Sequence, residues 1–222
     1  MREIILDTET TGLDPADGHR IVEIACIELH NHLPTGKVFH RYVNPERAMT
    51  AEAEAIHGLG DEFLRRHEPF ASIAAAFVAF VGDAQIVAHN AAFDLGFINA
   101  ELKRLELPPF VGPVVDTLDM ARKRFPGAPA SLDALCRRFA IDLSTRDKHG
   151  AKLDCELLAK VYLELVGGRQ SALDLGAQAV KAALRAASER PARAPRLYAP
   201  SADERASHAA LVAKLKAPIW QN

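Results

Sequence analysis

The stretch Ile4-Ile5-Leu6-Asp7-Thr8-Glu9-Thr10-Thr11-Gly12 begins the chain with a strand that carries two acids. Three apolar residues, two of them β-branched, predict a buried strand, and the Thr-Thr-Gly run predicts its end. Side chains along a strand alternate between its faces, so Asp7 and Glu9 point the same way. Two carboxylates on one face must reach solvent, share a proton or bind a cation. The stretch alone leaves these alternatives open.

Composition indicates a soluble globular protein. The 222 residues are 49% hydrophobic and 25% charged, enough for one sizeable core plus an appendage. No apolar run reaches the roughly 18 residues of a membrane span, and Met1-Arg2-Glu3 has no signal-peptide layout. Cys26, Cys136 and Cys155 show no CxxC spacing, which indicates reduced core thiols in a cytosolic protein. We therefore expect a cytoplasmic protein with no membrane partner.

The net charge of −2 conceals an asymmetry along the chain. Residues 1–166 carry a net charge of −7, and residues 167–222 carry +5. An acidic body would repel a nucleic acid unless cations cover its acids. The basic tail fits a solvated linker, or a segment that contacts phosphates or an acidic partner.

The order of the predicted elements indicates an α/β fold. Strands are expected over 21–29, where Glu23 interrupts the apolar pattern, and over 37–43, so an antiparallel meander begins the sheet. The elements that follow are helices and short strands, expected over 71–81, 85–89, 94–105, 114–115, 116–124, 132–139 and 150–166. This alternation predicts a mixed α/β sheet with helices on both faces. Gly167-Gly168 predicts the end of the body.

The C-terminal tail differs in composition from the body. Residues 177–187 are Ala-rich and predict a helix, whereas 188–196 form a Pro/Arg linker. Ser201, with Glu204 three residues later, predicts a capping box that begins a last helix, and the only Trp, Trp220, follows it. A short apolar helix after a linker cannot bury itself well. We expect it to dock on the body or on a partner.

Two further acids lie on the apolar stripes of predicted helices. Asp154 falls on the stripe of helix 150–166, and Asp94 extends the stripe of helix 94–105 by one turn. His149 precedes Asp154 by five residues, so both can line one edge of a cavity. Each has a structural alternative: an N-cap carboxylate for Asp94, a salt bridge for Asp154 and a surface helix start for His149.

One cause explains the four acids better than four separate ones. The acids are Asp7, Glu9, Asp94 and Asp154. Together they can hold two divalent cations about 3.5–4 Å apart, which would stabilise the attacking and leaving oxygens of a phosphodiester. Hard oxygen ligands suit Mg²⁺ or Mn²⁺. A neutral His149 beside them can accept a proton from water.

Three motifs resemble those of the DEDDh family of 3′–5′ exonucleases. They are Asp7-Thr8-Glu9-Thr10-Thr11-Gly12, His89-Asn90-Ala91-Ala92-Phe93-Asp94 and His149-Gly150-Ala151-Lys152-Leu153-Asp154. The resemblance covers residues 1–166 and extends, within the family, to the proofreading subunits of bacterial replicative polymerases, which residues 131–136 also resemble. It implies a ribonuclease-H-like fold and an enzyme that releases 5′-mononucleotides from 3′ ends.

The resemblance also implies a catalytic role for each acid. Asp7, Glu9 and Asp154 would bind the first cation. Asp7 would also bind the second, and Asp94 would act largely through water. His149 would be the general base.

Residues 52–58 resemble the segment of the family that contacts the terminal nucleotide. Glu52 and His57 would then contact the 3′ end, and Ile56 would act as a base wedge. The full set of expected substrate contacts is Asp7, Glu9, Glu52, Ile56, His57, Asn90, Phe93 and Asp154. The alternatives are a surface acid for Glu52, a helix-end residue for His57 and a core residue for Phe93.

Beyond the body, the resemblance suggests partners. The run Gln170-Ser171-Ala172-Leu173-Asp174-Leu175 resembles the peptide with which replication proteins bind the sliding clamp, with Leu175 where Phe is common. Leu211, Leu215 and Trp220 would contact the polymerase catalytic (alpha) subunit. A small accessory (theta-like) subunit is a further expected partner.

These features together predict three parts and one function. Residues 1–168 would form the exonuclease domain, 169–200 a flexible linker with the clamp motif, and 201–222 the polymerase-binding segment. The expected function is proofreading of frayed or single-stranded DNA 3′ ends in the bacterial cytosol, at the nucleoid through the replisome. One alternative is a stand-alone DEDDh nuclease for RNA 3′ ends or DNA repair, which the tail disfavours. The other is a catalytically dead adaptor, which the five intact site residues disfavour.

Overall fold

The computed structural model describes residues 1–144, 148–167 and 199–216. The chain divides into two compact units, Met1–Leu173 and Asp174–Asn222. Of the linker predicted over 169–200, residues 169–198 lie outside the described residues, and with them the clamp motif of Gln170, Leu173 and Leu175 and the helix predicted over 177–187. Trp220 lies outside them as well. The three-part division of the chain therefore stays a prediction.

A five-stranded mixed sheet forms the centre of the first unit. Its strands are β1 (Arg2–Thr10), β2 (Ile21–His30), β3 (Leu33–Tyr42), β4 (Gln85–Ala88) and β5 (Val114–Asp116), in the order β3-β2-β1-β4-β5. β1, β2 and β3 pair antiparallel, which confirms the predicted meander, and β4 and β5 run parallel to β1.

The strand β3 begins four residues earlier than the sequence pattern predicts. A two-residue turn at Asn31 and His32 joins it to β2, and both residues have positive φ, 50° and 67°. Such a turn matches the twist of the strands that it connects. The prediction was wrong here because Pro34 and Gly36, which are uncommon within strands, obscure the pattern.

Helices pack on both faces of the sheet, as predicted for the α/β class. They are α1 (Ala51–His57), α2 (Asp61–Leu64), α3 (Phe70–Val81), α4 (Ala91–Arg104), α5 (Thr117–Arg124), α6 (Leu132–Arg138) and α7 (Ala151–Leu165). One core lies between the sheet and α3 and α4, and a second lies between the sheet and α5, α6 and α7. Strand alternation divides β1 between them, because Ile4 and Leu6 enter the first core and Ile5 enters the second.

Several local predictions are confirmed within these elements. The Ser131 hydroxyl accepts a hydrogen bond from the Ala134 N–H and so caps α6. The three cysteines are free and buried in the core. In the second unit, Ser201 and Glu204 form both bonds of the capping box at the helix Ala202–Val212. No helix among the described residues is long and apolar enough to cross a bilayer.

The ends of the parallel strands, which carry the predicted site residues, lie at one edge of the sheet. A buried ion pair holds the loop after β1 there. β1, β4 and β5 end at the same edge, where ligands bind in open α/β sheets. Arg20, in the loop after β1, donates from Nη2 to Oε2 of the buried Glu101 on α4 over 2.8 Å, and its Nε lies 2.5 Å from Oε1. This pair stabilises the loop after β1 against the helix that follows β4.

Candidate active site

Asp7 and Glu9 lie on one face of β1, beside the N-terminal end of α7. Burial raises the pKa of Asp7 well above its usual range, and repulsion by Asp94, Glu9 and Asp154 raises it further. The predicted acids are therefore neighbours in space, although they are up to 147 residues apart in sequence. A cation among them would relieve this repulsion.

Asp94 lies in the first turn of α4 and is only 3% exposed. The prediction that α4 begins at about Asp94 was wrong, because the helix begins at Ala91. The N-cap alternative for Asp94 is therefore wrong as well, since Asn90 occupies that position. The Thr8 hydroxyl donates to Oδ1 of Asp94 over 2.8 Å. Burial nevertheless raises the pKa of Asp94 to about 7, against the opposing effect of the Thr8 bond.

The start of α4 is positioned by Asp116 at the end of β5. Asn90 adopts a left-handed backbone conformation, with φ 73° and ψ 53°, and its side chain makes no capping hydrogen bond. The Asp116 carboxylate instead accepts the backbone N–H groups of Asn90 and Ala91, each over 3.0 Å, and caps α5 through the Leu118 N–H. The Asp116 carboxylate thus accepts backbone N–H groups at the starts of both α4 and α5. It was not among the predicted site residues.

The N-terminal end of α7 completes the group of acids. Ligand atoms of Glu9, His149 and Asp154 all lie within 4.8 Å of one another. Asp154 is buried, whereas half of the His149 side chain is exposed, and His149 Nδ1 lies 3.4 Å from Asp154 Oδ2. A histidine beside buried acids and open to solvent is placed to exchange a proton with water.

Helix α1 lies next to His149. The backbone N–H of His149 donates to the Ile56 carbonyl over 3.3 Å, and the Thr50 hydroxyl at the start of α1 donates to the Thr11 carbonyl over 3.0 Å. The structure therefore places the segment predicted to contact a 3′ end beside the acids. A cavity of about 330 Å³ lies here, lined by His57 and His149 among others.

Five predicted nucleotide contacts do not belong to the proposed cation ligands, and they differ in burial. Glu52 and Ile56 are exposed on α1, and Asn90 is exposed at the start of α4. Phe93 is partly buried against Phe97, with ring centroids 5.0 Å apart, so it has a role in the core in any case.

His57 is the contact with the most unusual surroundings. It is 6% exposed, and its Nδ1 accepts the Leu59 N–H over 3.0 Å. The proton of the neutral ring is therefore on Nε2, a buried atom that meets no acceptor with strict hydrogen-bonding geometry among the described residues, although the Thr10 backbone is near enough to raise the pKa of the ring. Burial is the largest effect and lowers the pKa of His57, so the neutral ring is favoured.

The donor set fits divalent cations. Four carboxylates converge, two of them with raised pKa values, and carboxylate oxygen is the ligand that hard cations prefer. Free thiols are not part of the set, because the cysteines are buried in the core.

Comparison with known proteins agrees with this geometry. The family model described as Exonuclease matches residues 4–162. The chain belongs to the exonuclease family. Enzymes of this family depend on divalent metal ions, as the acids of the site lead one to expect.

Curated relatives narrow the position of this exonuclease within the family. DNA polymerase III subunit epsilon of Rickettsia felis is 53% identical over 179 residues, which cover 79% of this chain and 78% of the relative. The Escherichia coli K12 subunit of the same name is 46% identical over 178 residues, covering 77% of this chain and 73% of the relative. The predicted membership of the DEDDh exonucleases, with 3′–5′ exonuclease activity of the proofreading type, is confirmed by these matches.

A solved structure confirms the fold. The nuclease domain of 3′hExo, a DEDDh family member, bound to rAMP, superposes with a TM-score of 0.63 at 20% identity. The match covers 74% of this chain and 91% of that chain. The ribonuclease-H-like architecture expected from the motifs is therefore present.

Neutralising Asp94 is expected to stabilise the exonuclease when no cation is bound. Its pKa of about 7 in the folded state exceeds the roughly 3.9 of an unfolded aspartate, so the folded state binds the proton more tightly. The contribution of Asp94 to wild-type stability is therefore greatest below about pH 4 and is lost as the pH rises through about 7. We expect Asp94→Asn to melt higher than wild type at about pH 7.5 in EDTA, by about 2–4 °C for each kcal/mol of repulsion relieved.

The pH dependence provides the control for this prediction. The difference in melting temperature should shrink as the pH falls towards about 4.5, where the wild-type carboxyl is also protonated. Asp83→Asn, at an exposed acid, should melt like wild type at both pH values. Equal melting temperatures of wild type and Asp94→Asn at about pH 7.5 would contradict the burial argument.

Proposed function

We propose that this exonuclease is the proofreading subunit of a bacterial replicative polymerase of the DNA polymerase III type. It would remove mismatched 3′-terminal nucleotides from frayed or single-stranded primers as 5′-mononucleotides. The observation that carries the proposal is the convergence of Glu9, His149 and Asp154 within 4.8 Å, beside Asp7 and next to α1. The curated relatives named DNA polymerase III subunit epsilon support the polymerase assignment.

Four carboxylates would hold two divalent cations, Mg²⁺ or Mn²⁺. Asp7 would contact both, Glu9 and Asp154 would contact the first, and Asp94 would act on the second largely through water. When bound, the cations would activate a water molecule and neutralise charge on the phosphodiester. The raised pKa values of Asp7 and Asp94 support this role, because they show that the acids need compensating positive charge.

His149 would act as the general base. Its ring is half exposed, so water can reach it, and Asp154 lies 3.4 Å away to orient it and to stabilise the protonated form. The Ile56 carbonyl fixes the backbone of His149. The proton taken from the attacking water would pass from the ring to solvent.

Residues of α1 and α4 would hold the terminal nucleotide. His57, which lines the cavity beside His149, would contact the 3′-terminal sugar, and Glu52 can accept from its hydroxyl. Ile56, Asn90 and Phe93 would contact the base, with Ile56 as the wedge. The carboxylates of Asp7, Glu9 and Asp154 would complete this subsite by approaching the terminal phosphate together with the cations.

The function is tested with the full-length protein and a labelled primer that ends in a mismatch. In Mg²⁺ or Mn²⁺ we expect release of 5′-mononucleotides from the 3′ end, faster from mismatched than from paired ends because a frayed end is single-stranded. EDTA should stop the reaction. A protein that releases no mononucleotide in either metal would refute the proposal, and a preference for RNA 3′ ends would favour the stand-alone nuclease.

The second unit is proposed to bind partners. Leu211 and Leu215 are exposed, at 59% and 45%, and lie four residues apart, so they are neighbours on one side of the helix and its final turn. We propose that they bind the polymerase catalytic (alpha) subunit together with Trp220. We further propose that Gln170, Leu173 and Leu175 bind the sliding clamp. A theta-like subunit is another proposed partner. Such assembly would place the protein in the bacterial cytosol.

Charged residues in place of Leu211 and Leu215 are expected to weaken binding to the polymerase subunit. Leu211→Asp with Leu215→Asp should weaken the complex by at least about tenfold, as expected when apolar contacts of a few kcal/mol are replaced by buried charge. Ala213→Asp is the matched control, because Ala213 is exposed and lies about 160° around the helix axis from Leu211. Binding is measured by titration of the labelled full-length protein. Equal affinity of all three proteins would contradict the assignment.

A further inference from the structure

Glu23 is a buried acid in an otherwise apolar strand, and the proposed reaction leaves it without a role. It is 3% exposed and lies opposite Glu9 in the antiparallel pairing of β1 and β2. Both side chains point to the face of the sheet that α7 covers. Glu23 adds to the negative charge here, because it contributes to the raised pKa of Asp7. A buried acid in this position needs a structural or functional reason.

Both carboxylate oxygens of Glu23 already have partners. Oε1 lies 2.7 Å from His40 Nε2, and Oε2 accepts the backbone N–H of Ala151 over 3.2 Å. With both oxygens bonded to protein donors, Glu23 is poorly placed to serve as a fifth cation ligand. Its position instead resembles that of a helix cap supplied from another strand.

The helix whose Ala151 N–H donates this bond has no side-chain cap of its own. Ala151 is the first residue of α7, and the preceding Gly150 has no side chain with which to cap it. The first N–H groups of a helix need acceptors, and a carboxylate there also interacts favourably with the helix dipole. Glu23 provides both, across 128 residues of sequence.

Ala151, which donates this bond, lies between His149 and Asp154 along the chain. His149 lies two residues before Ala151, and Asp154 lies three residues after it. A shift of the first turn of α7 would therefore change the 3.4 Å approach of His149 to Asp154 and the distance of both from Glu9. A displacement of about 1 Å in such a site can cost about 10²-fold in rate.

We propose that Glu23 is a positioning residue, which fixes the start of α7 on β2 and so sets the place of His149 beside Asp154 and Glu9. His40 holds the carboxylate in the orientation that reaches Ala151. This inference rests on the proposed nuclease function. It assigns Glu23 no contact with substrate or cation.

The test compares Glu23→Ala and Glu23→Gln in the full-length protein. We expect Glu23→Ala to lower kcat about 10- to 100-fold with little change in KM, as for other residues that orient a site through hydrogen bonds. Glu23→Gln keeps an oxygen that can accept the Ala151 N–H, so it should recover most of the rate. Glu28→Ala is the control, because Glu28 is a buried acid of the same strand that pairs with Arg2 and Lys37 instead.

A double-mutant cycle with His149→Ala separates positioning from general destabilisation. If Glu23 acts through His149, its replacement by Ala should cost clearly less in the His149→Ala protein than in wild type. Additive losses in the two proteins, or equal losses in Glu23→Ala and Glu28→Ala, would overturn the proposal. An inactive wild type would instead refute the nuclease function, whereas an active wild type with an unaffected Glu23→Ala refutes only the positioning role.

Discussion

Asp7→Asn is expected to reduce mononucleotide release to the background level. Asp7 lies where repulsion from Asp94, Glu9 and Asp154 converges, so its charge is the one that most directly attracts a cation. Asparagine keeps the shape of the side chain but loses this charge. Charge stabilisation by a cation is worth several kcal/mol, and each ~1.4 kcal/mol is tenfold in rate, so we expect a loss of about 10³-fold or more.

The result is measured as the initial rate of mononucleotide release in saturating Mg²⁺. Asp83→Asn, at an exposed acid away from the site, serves as the matched control and should keep the wild-type rate. A folded Asp7→Asn protein that retains more than about a tenth of the wild-type activity would show that Asp7 is not a cation ligand. Its thermal stability in EDTA should not fall, because a carboxyl whose pKa burial raises is costly when charged.

His149→Ala is expected to have the second-largest effect. General acid–base groups contribute about 10²–10⁴-fold, and we expect kcat to fall by that factor. The variant should still bind DNA 3′ ends and divalent cations, because the four carboxylates remain. The fall should therefore appear in kcat and not in KM.

The control for this change is His30→Ala. His30 is an exposed residue at the end of β2, so its loss should leave the rate unchanged. Single-turnover measurements separate hydrolysis from product release. If His149→Ala hydrolyses the bound 3′ end at the wild-type rate in a single turnover, the base is another group and the assignment is wrong.

Local patterns predicted the main elements among the described residues. The apolar runs of β1, β2 and β4 are long enough to identify buried strands, and Ser131 and Ser201 are local caps that need no distant partner. The boundary of a helix cannot be predicted from local sequence where the contact that fixes it comes from a distant residue. α4 begins at Ala91 because Asp116, on another strand, accepts the N–H groups at its start.

The acids of the site were predictable because each breaks a local rule. Asp94 and Asp154 lie on apolar helix stripes, and Asp7 and Glu9 share one face of a strand that begins with apolar residues, so each is visible without coordinates. Glu23 breaks the same rule, but its purpose is not visible in the sequence, because its partners His40 and Ala151 lie on other elements. Thr8 and Asp116 are ordinary residues in their local sequence.

The amino-acid sequence by itself indicated the candidate site residues and the order in which they occur, because strand and helix periodicity reveal an acid on an apolar face. Only the tertiary structure decided how they meet. The grouping of Glu9 with His149 and Asp154, the bond from Thr8 to Asp94 and the bond from Ala151 to Glu23 all join segments distant in sequence. Such contacts depend on how helices pack on the sheet, and that packing is set by the two cores as a whole.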